Sequence, residues 1–330
     1  MILFPPLSSG ETDKIPPVGQ VGGKGYGLYW LAVNGFPTPP TWALSTEVFD
    51  AAVEQAGLTE AVAQIRRTIV ATKDEWIAIQ RALDHLEPQI AQITQGLYQA
   101  TLPDELVAAL KEIETQSAEW AVRSSATVED HPRHSFAGQF TSLLSVLPGK
   151  NLLDATRQVW ASAFKREALV YCAQKKTPLP RMAVLYQPMR PITANDRSGV
   201  AFSHSPVSTM PGVLIQAAFG AGQTVVGGYG GDLYSEHEGV VKTQAVTPAQ
   251  IHVSAPDGGI VAQPPPEGSL PLTEDQAREL AVIIRDITVR WGSPVDVEFV
   301  WRAGEGSTFV QVRSAMHPLV AQLIGQARQG

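Results

Sequence analysis

The chain has 330 residues, 44% hydrophobic and 17% charged, enough to bury a substantial core and to divide into two lobes or domains. Its 25 Lys and Arg against 32 Asp and Glu give a formal charge of -7, which argues against general affinity for nucleic acid or anionic membrane but allows a local phosphate pocket. Cys172 is the single cysteine, which excludes an intrachain disulfide and a cysteine-rich metal site and points to a reducing compartment.

The opening MILFPPLSSGETDKIPP has no basic flank and is broken by prolines, so it does not read as a signal peptide. No apolar run is long enough to span a bilayer, and the expected location is cytoplasmic. Residues 1–21 read as an extended lead. GGKGYGLYWLAVNGFPTPP then reads as a loop and a short helix with Leu28, Leu31 and Ala32 at helical spacing, stopped by Asn34-Gly35. Lys24 therefore sits at or just before a helix N-terminus.

From Ser45 to about Thr115 the periodicity is helical, with segments near 47–55, 59–72, 73–86, a run toward Leu97, and a last helix after Pro103. In that last helix Leu106, Val107, Leu110 and Ile113 form an apolar stripe, and nothing in the region suggests catalysis. Trp120–Val122 reads as a short strand, followed by a loop RSSATVEDHPRHSFAGQ and a second strand, Phe140–Val146. A helix over about 152–172 and a strand over 182–187 follow. Strand signal then dominates: 199–203, 213–217, 239–243, 295–301 and 308–312. One helix interrupts it, opened by the capping-box pair Thr273 and Gln276. The Gly- and Pro-rich VSAPDGGIVAQPPPEGSLP reads as surface loop. The fold class is α+β, with a helical subdomain in the N-terminal half and a division near residue 180 into segments 1–180 and 181–330.

Phosphate binding needs fixed donors: backbone N–H groups left uncovered by glycine, and permanent cations. Gly22-Gly23-Lys24-Gly25 offers both without the spacing of a Walker A loop, and a tight turn with an exposed lysine fits it equally well. Arg123, with Ser124 and Ser125 beside it, has a guanidinium able to grip two phosphate oxygens. The competing reading pairs Arg123 with Glu129 or Asp130 to pin the loop. Within HPRHSFAGQF, Ser135, Gly138 and Gln139 suit a loop that closes over terminal phosphates. His131 and His134 read as a solvated pair, with no zinc expected.

Period-two alternation places Asp296 with Glu298, and Gln311 with Arg313, on single strand faces that a RAGEGS hairpin would bring together. Magnesium prefers oxygen donors, so Glu298 and Gln311 make a reasonable half-shell with bound phosphates, and Arg313 would balance phosphate charge. A half-buried hairpin with one wet face is the bland alternative. Gln187 and Met189 end a strand suited to an apolar nucleobase wall, or simply to a strand terminus. His204 between serines is commonplace. The glycines of AAFGAGQTVVGGYGG permit either a ligand's close approach or sheet bends.

Together, GGKGYGLYWLAVNGFPTPP, WAVRSSATVEDHPRHSFAGQF, LYQPMRPITANDRSGVAFSHSP, IQAAFGAGQTVVGG and RWGSPVDVEFVW with FVQVRS resemble the nucleotide-binding portion of the phosphoenolpyruvate synthase and pyruvate phosphate dikinase family. The resemblance covers nearly the whole chain. It implies an ATP-grasp fold in which two lobes clasp Mg-ATP, with ATP and Mg2+ as cofactors. It assigns Lys24, Arg123 and Arg313 to phosphate binding and catalysis, and Glu298 and Gln311 to the metal. Gln187 and Met189 fall by the adenine pocket, Ser135 to Gln139 on the covering loop, and Asp296 on a nearby acidic position. It further implies phosphoryl transfer from ATP to a histidine on a swivelling domain. After Arg313 the sequence continues as SAMHPLVAQLIGQARQG, too short for that domain, and His317 sits in no matching setting. The acceptor histidine is therefore expected on a separate protein or subunit, with no nucleic acid or membrane partner. The alternative is a nucleotide-binding regulator without transfer. Gln216 and Gln223 stand where the family commonly has acidic residues.

Overall fold

The computed structural model describes residues 2–73, 75–131, 134–135, 139–205 and 212–315, with backbone alone at 130, 131, 134, 135 and 150. Two compact units divide it: Met1–Asn34 with Pro40–Arg190 and Pro256–Gly259, and Gly35–Pro39 with Pro191–Ala255 and Ile260–Gly330. Helices and sheets are mixed in both, which makes the fold α+β. Among the described residues no helix is long and apolar enough to cross a membrane.

The first unit contains β1 (Leu3–Phe4), α1 (Val18–Val33), β2 (Trp42–Leu44), α2 (Thr46–Gln55), α3 (Thr59–Ala71), α4 (Trp76–Tyr98), α5 (Asp104–Glu114), β3 (Glu119–Ala126), β4 (Asp130–His131), β5 (His134–Ser135), β6 (Ser142–Val146), α6 (Lys150–Ala161), α7 (Arg166–Lys175) and β7 (Met182–Met189). An antiparallel sheet in the order β1-β2-β7-β3-β6 forms its centre. Val21, Leu28 and Tyr29 of α1 pack with Ala43 and Leu185 on one face. Leu44, Trp120, Val122, Val184 and Tyr186 meet the helices α2 to α7 on the other. Each fully buried large apolar side chain of this kind contributes about 1.5–3 kcal/mol relative to exposure.

The sequence expectation holds for α2, α3 and α5, where Leu106, Leu110 and Ile113 are buried as a stripe. The two segments expected over 73–97 are one helix, α4, which accommodates Pro88 inside it. The helix expected over 152–172 is broken at 162–165 by a 3-10 turn and the extended Lys165. The lead ends at Pro17 rather than residue 21, because α1 begins at Val18 and is kinked at Gly22. Strand β3 runs to Ala126, so Arg123, Ser124 and Ser125 belong to a strand and not to a loop. Their backbone pairs with the apolar stretch Ala183–Leu185.

The second unit contains β8 (Arg197–Phe202), β9 (Val213–Phe219), α8 (Gln223–Val226), β10 (Asp232–His237), β11 (Val240–Gln244), β12 (Ile251–Ser254), β13 (Ile260–Gln263), α9 (Glu274–Trp291), β14 (Val295–Arg302) and β15 (Gly306–Ser314). Its antiparallel sheet has the order β11-β10-β9-β8-β14-β15. Thr273 and Gln276 form the expected capping box at the start of α9. The apolar face of α9, with Ala277, Leu280, Ala281, Ile284 and Ile287 buried, covers one side of this sheet. Buried Glu236 pairs with Arg285 of α9, and the Leu272 N–H donates to Tyr234 Oη at 3.1 Å.

Ser198 and Gly199 lie within β8: the Ser198 hydroxyl donates to Gly220 O at 2.7 Å, and a Cβ at Gly199 would sit 2.1 Å from Gln216 O. The Gly- and Pro-rich stretch after residue 250 contains the hairpin β12–β13, whose Ile251 and Val253 pack on Phe219. In AAFGAGQ the close backbone approach is to this hairpin, since Ala221 N–H donates to His252 O at 2.8 Å.

Candidate nucleotide site

In the first unit the site is built on the junction between α1 and β3. Gly22 has φ 69° and ψ 176°, a conformation open essentially to glycine, and it divides α1 so that a new helical turn starts at Gly23-Lys24-Gly25. The kink brings the chain against β3 so closely that a Cβ at Gly22 would lie 2.1 Å from Ser125 O. Ser125 fastens the contact: its hydroxyl donates to Val21 O at 2.6 Å and accepts from Gly25 N–H at 2.9 Å.

Lys24 is not an exposed lysine on a turn. Its ammonium forms an ion pair with Glu129 and a 3.3 Å hydrogen bond to the Ser124 hydroxyl, with side-chain exposures of 12% for Lys24 and 4% for Glu129. The second oxygen of Glu129 accepts from Ala126 N–H at 2.9 Å. Glu129 thus serves Lys24, whereas the sequence suggested it only as a partner for Arg123.

Arg123 is buried, and its guanidinium donates to Gln187 Oε1 at 3.3 Å; Gln187 Nε2 donates in turn to Thr41 Oγ1 at 2.9 Å. The register Arg123 opposite Leu185 and Ala121 opposite Gln187 places Arg123 and Gln187 on the α1 face of the sheet, and Met189 shares that face by alternation. Met189 Sδ accepts from Ser145 N–H at 3.2 Å, at a residue with φ 54°. Arg123, Gln187 and Met189 thus share one face of one sheet, while Lys24 belongs to α1, which packs on that face, and its ammonium is bound to Ser124 and Glu129. Ser135 lies on β5 with its backbone opposite Asp130; its side chain and Gly138 lie outside the described residues. Gln139 lies in the turn before β6.

In the second unit β14 and β15 form the expected hairpin. Asp296 is directly opposite Arg313, and Glu298 directly opposite Gln311. All four project from the face opposite α9, since Val295, Val297 and Phe299 alternate with them into the core. Arg313 Nε donates to Asp296 Oδ2 at 2.9 Å, and a second guanidinium nitrogen reaches the same oxygen. Burial pushes the Asp296 carboxyl above its usual range, and the adjacent Arg313 opposes that shift. Gln216 lies on this same face, across Val200 from Glu298.

A bulge between Glu298 and Phe299 shifts the register, so Val310 is the additional residue of β15. A groove of about 590 Å³ beside α9, lined by residues including Ser203, His204, Glu236 and Arg285, contains none of the expected site residues. His317 lies outside the described residues.

Comparison with known proteins adds the family. Residues 18–318 match the model for the pyruvate phosphate dikinase AMP/ATP-binding domain. The chain is 31% identical over 301 residues to a rifampicin phosphotransferase of Streptomyces sviceus, covering 88% of this chain and 33% of that protein. It is 27% identical over 301 residues to a probable phosphoenolpyruvate synthase of Methanothermobacter thermautotrophicus, covering 89% of this chain and 43% of that protein. A rifampicin phosphotransferase of Bacillus subtilis is 28% identical over 292 residues, with 84% of this chain and 32% of that protein covered. This chain thus spans between about a third and two fifths of the length of these relatives. A match over residues 18–318, containing both the lysine–arginine face of the first unit and the carboxylate–amide hairpin of the second, makes the chain a member of the pyruvate phosphate dikinase AMP/ATP-binding domain family.

Proposed function

We propose that the two units are the lobes of an ATP-grasp fold that clasps Mg-ATP, and that the chain is a phosphotransferase component passing a phosphoryl group from ATP to a histidine on a separate protein or subunit. The observation that carries this reading is the β14–β15 register, which sets Glu298 against Gln311 and Asp296 against Arg313 on one sheet face, in a chain matched to an AMP/ATP-binding family.

The donor set suits the expected ligand. A carboxylate and an amide carbonyl side by side are oxygen donors of the kind magnesium takes, with waters and phosphates completing its shell. Glu298 and Gln311 would hold the metal, which when bound draws charge from the phosphates. Lys24, Arg123 and Arg313 would offset phosphate charge through directed N–H groups, two of them planar guanidinium forks. Gln187 and Met189 would border the adenine, and the 131–140 segment, with Ser135, Gly138 and Gln139, would cover the phosphates. The chain's contribution is positioning and electrostatic stabilisation, and an incoming neutral imidazole needs no general base from it.

The test is titration of ATP with and without magnesium, followed by incubation of labelled ATP and magnesium with the chain and extract proteins. The expected result is magnesium-dependent ATP binding and an acid-labile phosphorylated partner. Absence of ATP binding refutes the reading, and rapid phosphorylation of pyruvate by the chain alone refutes the need for a partner.

A further inference from the structure

We propose that Glu129 is the positioning residue for Lys24: it fixes the ammonium in place and partly cancels its charge, so that the lysine offers a ligand phosphate one directed N–H rather than an unpaired cation. This rests on the reading that Lys24 meets nucleotide phosphate.

Three observations carry it. The Glu129 carboxylate is buried and held at both oxygens, one by Lys24 and the other by the Ala126 N–H at 2.9 Å. An ammonium has three N–H groups; among the described residues Glu129 and Ser124 take two, leaving one to direct at a ligand. The lysine's backbone is itself fixed, since Gly22 abuts the Ser125 backbone and Gly25 N–H is bound by the Ser125 hydroxyl. Position is thus set from the main chain and from the tip, with Glu129 supplying the tip.

The second unit repeats the device, where Arg313 rests on the buried Asp296. A triphosphate that meets cations already paired with carboxylates gains little net charge compensation from them, so metal-free nucleotide should bind weakly. Glu129 then acts as a determinant of preference for the metal complex over the free polyanion.

The experiment has two arms. In the nucleotide-free protein, trace acetylation of Lys24 by acetic anhydride, read by peptide mass spectrometry, should be faster in Glu129→Gln than in wild type. Glu129→Asp, which keeps the charge, should stay nearer wild type. In EDTA, Glu129→Gln should bind ATP more tightly by roughly threefold or more, with a smaller gain in magnesium. The same substitution in a Lys24→Met background should change neither affinity.

An unchanged acetylation rate, or an equal affinity change with and without Lys24, overturns the proposal. If Glu129→Gln alone does not fold, Lys24→Met is compared with Lys24→Met/Glu129→Gln, which removes both charges together. Equal EDTA affinities support the proposal and unequal ones refute it. A wild type that binds no ATP in magnesium defeats the nucleotide-binding reading instead, and the acetylation arm still decides the role of Glu129.

Discussion

Gly22→Ala tests the junction on which the first half of the site is built. The added methyl would stand 2.1 Å from Ser125 O and 2.4 Å from both Ser125 C and Ser125 Oγ, and the carbonyl oxygen and carbon are main-chain atoms that no rotamer change can move. The backbone at φ 69° and ψ 176° adds strain of about 1–3 kcal/mol for a residue with a side chain. Overpacking of this kind contributes a further ~1–3 kcal/mol, and the two Ser125 hydrogen bonds about 1 kcal/mol each if they break. Relief by a shift of α1 recovers some of this, giving a net loss of about 3–6 kcal/mol, a large share of the ~5–15 kcal/mol that holds a typical domain. Urea unfolding followed by tryptophan fluorescence reports it, because Trp42, Trp120 and Trp160 all lie in this unit. The corresponding fall in melting temperature is roughly 6–24 °C for a unit of this size. A loss under ~1 kcal/mol with unchanged m would show that Gly22 is not held against Ser125 as described.

Other perturbations address the chemistry. Arg123→Lys removes the planar fork and the bond to Gln187, and should weaken ATP binding by roughly 10- to 100-fold in calorimetric titration; unchanged affinity would take Arg123 away from the phosphates. Glu298→Gln should reduce the enhancement of ATP binding by magnesium while leaving binding in EDTA nearly unchanged, and an equal loss in both conditions would argue against a metal role. Asp296 has a raised carboxyl pKa in the folded chain, so its contribution to stability is fully present below the ordinary aspartate value near ~4 and is lost as pH rises through the higher folded value. The stability of wild type minus that of Asp296→Asn, from urea melts, should therefore decline from acid to neutral pH; a constant difference contradicts the buried, raised carboxyl.

The β14–β15 hairpin was legible because its information is local: two period-two strands, a Gly-containing turn and four polar residues at matched offsets. The stripe of α5 and the capping box of α9 were legible for the same reason. Lys24 shows where local reading stops. Its partner Glu129 is 105 residues away, and no spacing rule links an ammonium on a helical turn to a carboxylate beyond a strand end. Arg123, Ser124 and Ser125 read as loop because three polar residues in succession break the apolar pattern, although each is buried and bonded to groups supplied by other elements. Strand β10 was missed since DLYSEH carries charge at both ends; its buried Glu236 is tolerable only beside Arg285 of α9. The hairpin β12–β13 was hidden by the glycines and prolines around it.

The extra residue at Val310 settles a conflict of parity in the last strand. Phe309, Gln311 and Arg313 are each two apart, so an unbroken strand would turn all three to one side, either exposing the phenyl ring or burying the guanidinium. With one residue inserted, Phe309 stacks edge-on to Phe36 in the interior while Gln311 and Arg313 stay outside with Glu298 and Asp296. Lengthening or trimming the tip around Gly304 should consequently leave the polar quartet aligned, and excising Val310 would flatten the bulge into an unbroken ladder with Phe309 still inside and Gln311 and Arg313 still outside.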